Sequence, residues 1–331
     1  MGIHNLTSLI KSKSPNSIYT EALYKLKGCS VAIDTSIFLY KSLSNIRSNG
    51  DYIRNKNGDI ISHIIGILNK TILYKSFNIR PIYIFDGKPP EEKKDILIER
   101  NKKAKEQKIM SENSKTLEEK NKHEKNSIRI NNNHIKDIKN LLDILGVEYI
   151  HPDGEAEAYA SELCRIGYVD YVVTDDMDSL VFGCPKMIRK CIDKKNKRND
   201  VVSIITLDSI LKDFNMNMEE FTEMCILCGC DYCPSIPKVG SVRSFNYIQN
   251  YKTIDKLIES DKCKIPEEFI NKYIKAKELF IIFKDKIDIT KINLHKSEYN
   301  EDIFKKYLLE YCSYNENKVN NILIKIKKFD S

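Results

Sequence analysis

Short apolar runs alternate with longer amphipathic stretches through the first half of the chain. Four runs of five to seven residues are rich in Val, Ile and Tyr and bounded by polar residues, as buried strands are. They span residues 29–34, 80–86, 146–150 and 169–175. Between these runs, residues 62–77 and 134–145 place apolar side chains at helical spacing. Strands alternating with helices predict an α/β fold, a parallel sheet with helices on both faces.

The segment 91–133 breaks this pattern, because it is almost entirely polar, rich in Lys and free of Gly and Pro. It has helix-forming residues but little to bury. One interpretation is a solvated or disordered insertion, and the other is a mobile helical element that meets phosphates. Beyond residue 205 the pattern is helical to the end, and we expect a single domain with appended helices.

Charge and composition narrow the class of protein. The 331 residues carry a formal net charge of +7, which permits a polyanionic partner. No apolar run approaches the ~18 residues of a membrane span. The first residues lack the apolar segment of a signal peptide. We therefore expect an intracellular protein without a membrane partner, whose cysteines stay reduced.

Acidic residues follow the predicted strands. Because ligands bind beyond the carboxyl ends of parallel strands, these acids are expected to share one edge of the sheet. They are Asp34, Asp86, Glu155, Glu157, Asp175, Asp176 and Asp178. Each has an ordinary alternative as a helix cap, a helix start or a solvated turn.

Together, the acids present an electrostatic problem, since like charges at close range repel and raise one another's pKa. Cations would relieve that repulsion, and all-oxygen ligand sets suit Mg²⁺ or Mn²⁺. No dense set of His and Cys surrounds the acids, which argues against catalytic zinc. Two hard cations about 3.5–4 Å apart serve phosphoryl chemistry, so the sequence indicates phosphodiester hydrolysis.

Four cysteines in nine residues, "CILCGCDYC" at 225–233, raise the alternative of a zinc site. A helix explains them better. Asn217 with Glu220 three residues on predicts a helix start, and Gly229 predicts its end. Cys225 and Cys228 then lie on its apolar face as small core residues.

Longer motifs carry a resemblance to a known family. They are "MGI" at the start, "VAIDTSIFLY" (31–40), "SHIIGI" (62–67), "IYIFDGKPPEEKK" (82–94), "GEAEAYAS" (154–161), "TDDMDSLVFG" (174–183) and "CILCGCDYCPSIPKVG" (225–240). The chain resembles the structure-specific 5′ nuclease superfamily, and within it the eukaryotic and archaeal flap endonucleases. The resemblance implies a PIN-like nuclease core, a helical arch and a helix–two-turn–helix DNA-binding unit.

The resemblance also divides the chain into blocks within a single nuclease domain. Residues 1–90 and 134–215 correspond to the N-terminal and internal blocks of the core. Residues 91–133 correspond to the arch, which would order around single-stranded 5′ DNA. Residues 216–290 correspond to the helix–two-turn–helix region, and residues 291–331 form a C-terminal helical segment.

The resemblance assigns the acids to two Mg²⁺ ions, for which Mn²⁺ can substitute. The implied ligands are Asp34, Asp86, Glu155, Glu157, Asp176, Asp178 and Asp231, whereas Asp175 is not a core ligand. The implied catalytic residues are Lys93, Arg100 and Asp178. Lys93 and Arg100 fall at the base of the arch, facing the scissile phosphate, where a fixed positive pair stabilises the transition state.

The implied DNA contacts are Tyr40, Arg47, Arg129, Lys238, Gly240 and Arg243. Tyr40 matches an aromatic residue that stacks on a base beside the cut. The helix–two-turn–helix of the family often binds K⁺ and has Gly-x-Gly, whereas this chain has Lys238-Val239-Gly240. The change predicts either an altered turn and K⁺ site or a lysine that reaches a phosphate directly.

The implied function is a Mg²⁺-dependent flap endonuclease and 5′–3′ exonuclease that leaves 5′-phosphates, in DNA replication and repair. Its partners would be DNA with 5′ flaps, nicks or junctions, and the protein would act as a monomer in the nucleus or another site of replication. We see no sliding-clamp motif at the end of the sequence. The alternatives are a 5′→3′ double-strand exonuclease, a non-catalytic junction-binding scaffold, and an RNase of related fold.

Overall fold

Ten strands and fifteen α-helices lie within residues 2–48, 51–192, 198–282 and 292–327, which are the residues that this computed structural model describes. The strands are β1 (Ile18–Ala22), β2 (Ser30–Asp34), β3 (Arg47–Ser48), β4 (Asp51–Tyr52), β5 (Arg80–Ile84), β6 (Tyr149–Ile150), β7 (Tyr171–Val173), β8 (Lys186–Lys190), β9 (Val201–Thr206) and β10 (Leu294–His295). The predicted block boundary at residue 290 lies outside the described residues.

The helices are α1 (Leu6–Lys13), α2 (Thr35–Asn45), α3 (Ser62–Ser76), α4 (Lys94–Glu112), α5 (Leu117–Ser127), α6 (Asn132–Ile144), α7 (Ala156–Arg165), α8 (Asp178–Val181), α9 (Leu207–Phe214), α10 (Met218–Cys228), α11 (Ser241–Tyr251), α12 (Ile254–Glu259), α13 (Glu267–Ile282), α14 (Glu301–Lys306) and α15 (Glu316–Lys327). A 3₁₀ helix, Glu91–Lys93, leads into α4.

One sheet organises the molecule, with strand order β1-β9-β8-β7-β2-β5-β6-β10. The central strands β8, β7, β2, β5 and β6 run parallel, which confirms the predicted parallel sheet. Its edges are antiparallel: β9 pairs with β8 and β1, and β10 pairs with β6. The expectation of helix alone beyond residue 205 was wrong at β10, which is too short to show a strand period.

Apolar side chains cover both faces of the sheet. On β2, Val31 and Ile33 point to one face and Ala32 to the other, as a strand's period of two requires. The core on the Ala32 face includes α1 and α7 to α13. The core on the opposite face includes α2, α3, α6, α14 and α15. The predicted helices on both faces are confirmed.

Helix α10 has the boundaries that the sequence predicts. Asn217 and Glu220 form a reciprocal capping box at its start, and Gly229 ends it with φ of +91°. Cys225 and Cys228 are buried core residues. Among the described residues, the cluster arranged to hold a metal ion consists of carboxylates and contains no cysteine.

The polar insertion forms two helices, α4 and α5, that pack against each other as a hairpin. Helix α5 buries none of its residues, and α4 buries only Ala104 and Ser111. The insertion is therefore helical and stands away from the two cores, as the arch interpretation expects. None of the helices in the described ranges has the length and apolar character that crossing a membrane requires.

Candidate metal centre

Two acids stand where neighbouring parallel strands end. Asp34 is the last residue of β2, and Asp86 follows the adjacent β5 by two residues. One oxygen of Asp34 accepts a hydrogen bond from the Ile37 amide at 3.4 Å, so this acid also caps α2. Asp86 accepts from the amide of Ala156 at 3.0 Å. Both acids therefore accept hydrogen bonds from the first turn of a helix, as caps do, and also lie at the edge of the sheet where the strands end.

Helix α7 brings two more acids to the same edge. Glu155 is its N-cap residue and Glu157 lies in its first turn, and both side chains are buried. The positive end of the helix dipole favours negative charge at this position. This part of the chain is held in place because Asp86 accepts the hydrogen bond from the first helical residue.

The turn after β7 completes a dense acidic cluster. Ligand oxygens of Glu157, Asp176 and Asp178 all lie within 4.8 Å of one another, and all three side chains are buried. Both carboxylate oxygens of Asp178 are buried without a hydrogen-bond partner in the described part of the chain. Burial raises the pKa of Asp178 and of Glu157 well above the usual value, and the charge of Asp176 raises both further.

Burial and repulsion between acids also act on Asp34, at the end of β2. Burial, with the charge of Asp86 adding to it, raises the pKa of Asp34 to about 7. Thr174 donates a hydrogen bond to Asp34 at 3.2 Å and accepts one from the Asp176 amide at 3.0 Å. This threonine therefore connects the two acidic segments directly, a role that we did not predict from the sequence.

Two basic residues at the base of the arch point into the acids. The Lys93 ammonium pairs with Glu155 and lies 3.7 Å from Glu157 and 3.5 Å from Asp231. Arg100 Nη2 lies 2.6 Å from Asp231 Oδ1. Burial opposes the charge on Lys93, but the carboxylates of Glu157 and Glu155 hold its pKa above the usual value.

Close packing at the chain start also shapes the centre. Gly2 has φ of +77°, and a Cβ there would come within 1.9 Å of Asp176 Oδ1. On the other side, the Tyr232 hydroxyl donates to Glu155. The Met-Gly start was the available sequence signal for Gly2, whereas nothing in the sequence pattern indicates the Tyr232 contact.

The geometry therefore brings the predicted ligands together around one pocket of about 200 Å³. Its lining includes Asp34, Asp86, Glu157, Asp176 and Asp231. Glu155 pairs with Lys93, which also lines the pocket. Asp178 lies next to the pocket, in the cluster that it forms with Glu157 and Asp176. Buried carboxylate oxygens without protein donors fit a hard divalent cation such as Mg²⁺.

Three predicted DNA contacts lie near the arch. Tyr40 lines the acidic pocket, and its hydroxyl donates to the Lys125 carbonyl of α5 at 3.4 Å. The Arg47 side chain is only 6% exposed and pairs with Glu124 of α5 at 2.8 Å. Arg129 is exposed, and its Nε donates to the Asn101 side chain of α4 at 3.1 Å. Their contact with DNA stays a prediction, and for Arg47 that contact requires the pair with Glu124 to open.

The other predicted contacts lie at the start of α11. Gly240 is its N-cap residue, and Lys238 has φ of +65°, the left-handed region that favours Gly. Arg243 donates to the Lys238 carbonyl at 2.7 Å. The turn therefore has a glycine-type backbone conformation at Lys238, and three exposed residues stand together at a helix N-terminus.

Comparison with known families agrees with this arrangement. The XPG N-terminal domain matches residues 1–107, and the XPG I-region matches residues 146–231. The fold also resembles the catalytic core of Rad2 in complex with DNA substrate, with a TM-score of 0.75, 20% identity, and coverage of 98% of this chain and 100% of that one. Fold and acidic site together define the XPG class of nucleases.

Closer relatives specify the family. Flap endonuclease 1 of Entamoeba histolytica is 35% identical over 100% of this chain and 89% of its own length. Flap endonuclease 1 of Glycine max is 33% identical over 99% of this chain and 87% of its own. The structure of flap endonuclease-1 from Methanococcus jannaschii matches with a TM-score of 0.70 and 26% identity over 94% of this chain and 96% of that one. The chain belongs to the flap endonuclease family.

Proposed function

We propose that this protein hydrolyses DNA phosphodiesters where a 5′ flap meets duplex, as a structure-specific 5′ nuclease of replication and repair. The observation that carries the proposal is the buried cluster of Glu157, Asp176 and Asp178 beside Lys93 and Arg100. An acidic centre with two fixed cations at its rim suits a phosphate, which needs positive charge from several sides. The helical hairpin of α4 and α5 above it suits a single strand.

The seven acids would hold two divalent cations. Asp34 and Asp86 approach from the strand ends, Glu155 and Glu157 from α7, and the remaining acids from the turns after β7 and α10. The remaining acids are Asp176, Asp178 and Asp231. When bound, Mg²⁺ supplies the Lewis-acid charge that makes water nucleophilic at neutral pH and neutralises the leaving oxygen, and Mn²⁺ can take its place.

Lys93 and Arg100 would position and neutralise the scissile phosphate. In the structure they bind the carboxylates, so both already reach the pocket from the arch side. A phosphodiester entering the pocket meets these two cations opposite the acids. Preorganised positive charge at this point stabilises the extra negative charge of the transition state. The activity yields a 5′-phosphate and a 3′-hydroxyl.

The arch and Tyr40 would handle the unpaired strand. Helices α4 and α5 are polar and Lys-rich and bury almost nothing, so a negatively charged strand can pass along them. Tyr40 stands at the junction of the acidic pocket and α5. Its ring can stack on a nucleotide that leaves the duplex, which would place the neighbouring phosphate at the acids.

The start of α11 would grip the duplex backbone. Its N-terminus favours anions, and Lys238 and Arg243 add two fixed charges. Arg243 donates to the Lys238 carbonyl, so the turn already holds one cation of its own. Lys238 and Arg243 would bind backbone phosphates without a required K⁺. The protein would work as a monomer inside the cell, in the nucleus or another site of replication.

A panel of DNA substrates tests the proposed activity. Matched 5′-flap, nicked, gapped and blunt duplexes are incubated with the protein in Mg²⁺, and EDTA serves as the control. We expect the 5′-flap substrate to be cut fastest, at the junction, with a 5′-phosphate product and no cleavage in EDTA.

Other results of the panel would assign other functions. Stepwise release of mononucleotides from blunt or nicked duplex, without a preference for flaps, would make the protein a 5′→3′ exonuclease of the same superfamily. Tight flap binding without cleavage in Mg²⁺ or Mn²⁺ would make it a junction-binding scaffold. Faster cleavage of an RNA flap than of a DNA flap would change the substrate class.

A further inference from the structure

A second cavity lies behind the acidic centre. It measures about 410 Å³ and is bounded by α2, α3, the end of β7, β8 and the start of β9. None of its lining residues lines the acidic pocket. Asp175 stands in its wall and turns away from the acidic cluster, toward Lys41 and Arg189. The cavity is therefore a separate space with its own charges.

Positive charge dominates the lining. Five of its residues are cationic and one is acidic: Lys41, Lys70, Arg189, Lys190 and Arg198 against Asp175. Asp175 already pairs with Lys41 and lies 3.5 Å from Arg189 Nε. Arg198 pairs with Asp200. The carboxylates around the cavity are therefore already engaged by the other cations, and the net charge favours an anion.

These pairs leave out Lys70 and Lys190, and of the two only Lys70 is partly buried. Its ammonium lies 4.8 Å from the centre of the Phe38 ring and 4.5 Å from that of Tyr74. Among the described residues no carboxylate forms an ion pair with it. Burial lowers the pKa of Lys70 to about 8, so most of the amine is still protonated at pH 7. The charge of Asp175 favours the protonated amine from a distance, but no carboxylate in the described part of the chain contacts it as a half-buried charge requires.

A second polar group at the cavity also lacks a partner. The Tyr74 ring lines the cavity, and its hydroxyl is buried without a hydrogen-bond partner in the described part of the chain. A buried hydroxyl left without a partner destabilises the fold, and a ligand acceptor would satisfy it. Lys70 and Tyr74 lie one helical turn apart on α3, so an acceptor near the lysine is also near the tyrosine.

The remaining wall is largely apolar, which points to an organic ligand. Ile46, Leu73, Ile188 and Val202 line it, and the side-chain amides of Asn69 and Asn199 add hydrogen-bonding groups of the kind that pair with base edges. We propose that this cavity binds a nucleoside monophosphate, with its phosphate on Lys70 and its nucleoside against the apolar wall. The ligand is charged enough to match the excess of cations and small enough for the cavity.

The proposal is tested by methyl NMR on the full chain in EDTA, titrated with dTMP. We expect saturable shifts at Ile46 and Ile188, which line the cavity, with a Kd below about 1 mM. Ile37 and Ile130, which line the acidic pocket, should shift less. Thymidine without phosphate and inorganic phosphate alone should each bind at least about tenfold more weakly, because each lacks one half of the contacts.

Matched variants locate the phosphate. Lys70→Met should weaken dTMP binding at least tenfold, whereas Lys75→Met, on the same helix but outside the cavity, should leave it unchanged. Shifts confined to Ile37 and Ile130, or no saturation, would overturn the proposal even if Lys70→Met failed to fold. Equal binding of inorganic phosphate and dTMP would reduce the site to an anion site without a nucleoside. Flap cleavage is measured separately, so failure of this proposal leaves the nuclease assignment standing.

Discussion

At the scale of single residues, Lys93 joins the arch to the acids. Its ammonium contacts carboxylates from both α7 and the turn after α10, and it is the better buried of the two basic residues. Arg100 is more exposed and contacts Asp231 alone among these acids. Lys93 is therefore the basic residue set more deeply among the proposed metal ligands.

Replacing Lys93 should impair the chemical step more than binding. We expect Lys93→Ala to slow single-turnover flap cleavage by about 10²–10³-fold, because one preorganised positive contact is lost. The flap Kd should stay within about threefold. Lys94→Ala is the matched control, since Lys94 is the adjacent, exposed lysine and pairs with Glu91. If Lys93→Ala changed affinity alone, Lys93 would be a backbone contact.

The two lysines with positive φ at opposite ends of α11 offer another comparison. Lys238 precedes the helix with φ of +65°, and Lys252 follows it with φ of +69°. Glycine at either position should relieve about 1 kcal/mol of left-handed strain. Only Lys238→Gly should alter DNA binding. The negative slope of log K against log salt concentration should become shallower by about 0.9, because one phosphate contact is lost. An equal effect of Lys252→Gly on that slope would remove Lys238 from the interface.

The sequence predicts some residues of the centre and not others for a physical reason. Asp34 and Asp86 are predictable because parallel strands deliver their carboxyl ends to one edge. Gly2 and Tyr232 reach the acids through close packing between distant parts of the chain. Such contacts depend on the assembled fold, and local pattern does not encode them.

At the scale of secondary-structure elements, the arch is tied to the body by few contacts. Helix α5 buries no residue, so its position depends on polar contacts such as the pair of Arg47 with Glu124 and the Tyr40 hydrogen bond. Elements with little buried apolar surface open locally at low free energy. The sequence pattern left helix and disorder open here, and the family resemblance implied the helices; neither indicates the Arg47–Glu124 pair, which joins residues 77 positions apart.

Breaking that pair should loosen the arch and leave the core intact. We expect Glu124→Gln to accelerate amide exchange across residues 117–127 while the main thermal transition moves by less than about 2 °C, because the two cores bury other residues. Glu118→Gln, an exposed acid on the same helix, should leave exchange unchanged. Uniform acceleration across the whole chain would contradict a locally tied arch.

At the scale of the whole molecule, one sheet edge unites the acids, the arch base and the Tyr40 ring. Four of the five parallel strands at the centre of the sheet were predictable, because they are apolar runs bounded by polar residues, whereas β8 mixes basic with apolar positions. The antiparallel edges were missed: β10 has two residues and β1 mixes polar with apolar positions, whereas the apolar run of β9 was overlooked. The acids follow strands at the parallel centre of the sheet. Missing the antiparallel edge strands therefore did not prevent the prediction that the acids lie close together.

Asp178→Asn tests most directly whether the buried acids form a metal centre that cuts the flap. Neither carboxylate oxygen of Asp178 has a hydrogen-bond partner among the described residues, as expected of a side chain that awaits a cation. Single-turnover cleavage of a 5′-flap substrate in Mg²⁺ is measured beside equilibrium binding of the same substrate. Asp153→Asn, an exposed acid in the same connection as Glu155, is the control.

We expect Asp178→Asn to lose at least about 10³-fold in cleavage, several kcal/mol of transition-state stabilisation, and still to bind the flap. Asp153→Asn should cut like the unmodified protein. If Asp178→Asn cut the flap in Mg²⁺ at a rate near that of the unmodified protein, the buried acidic cluster would not be the catalytic centre.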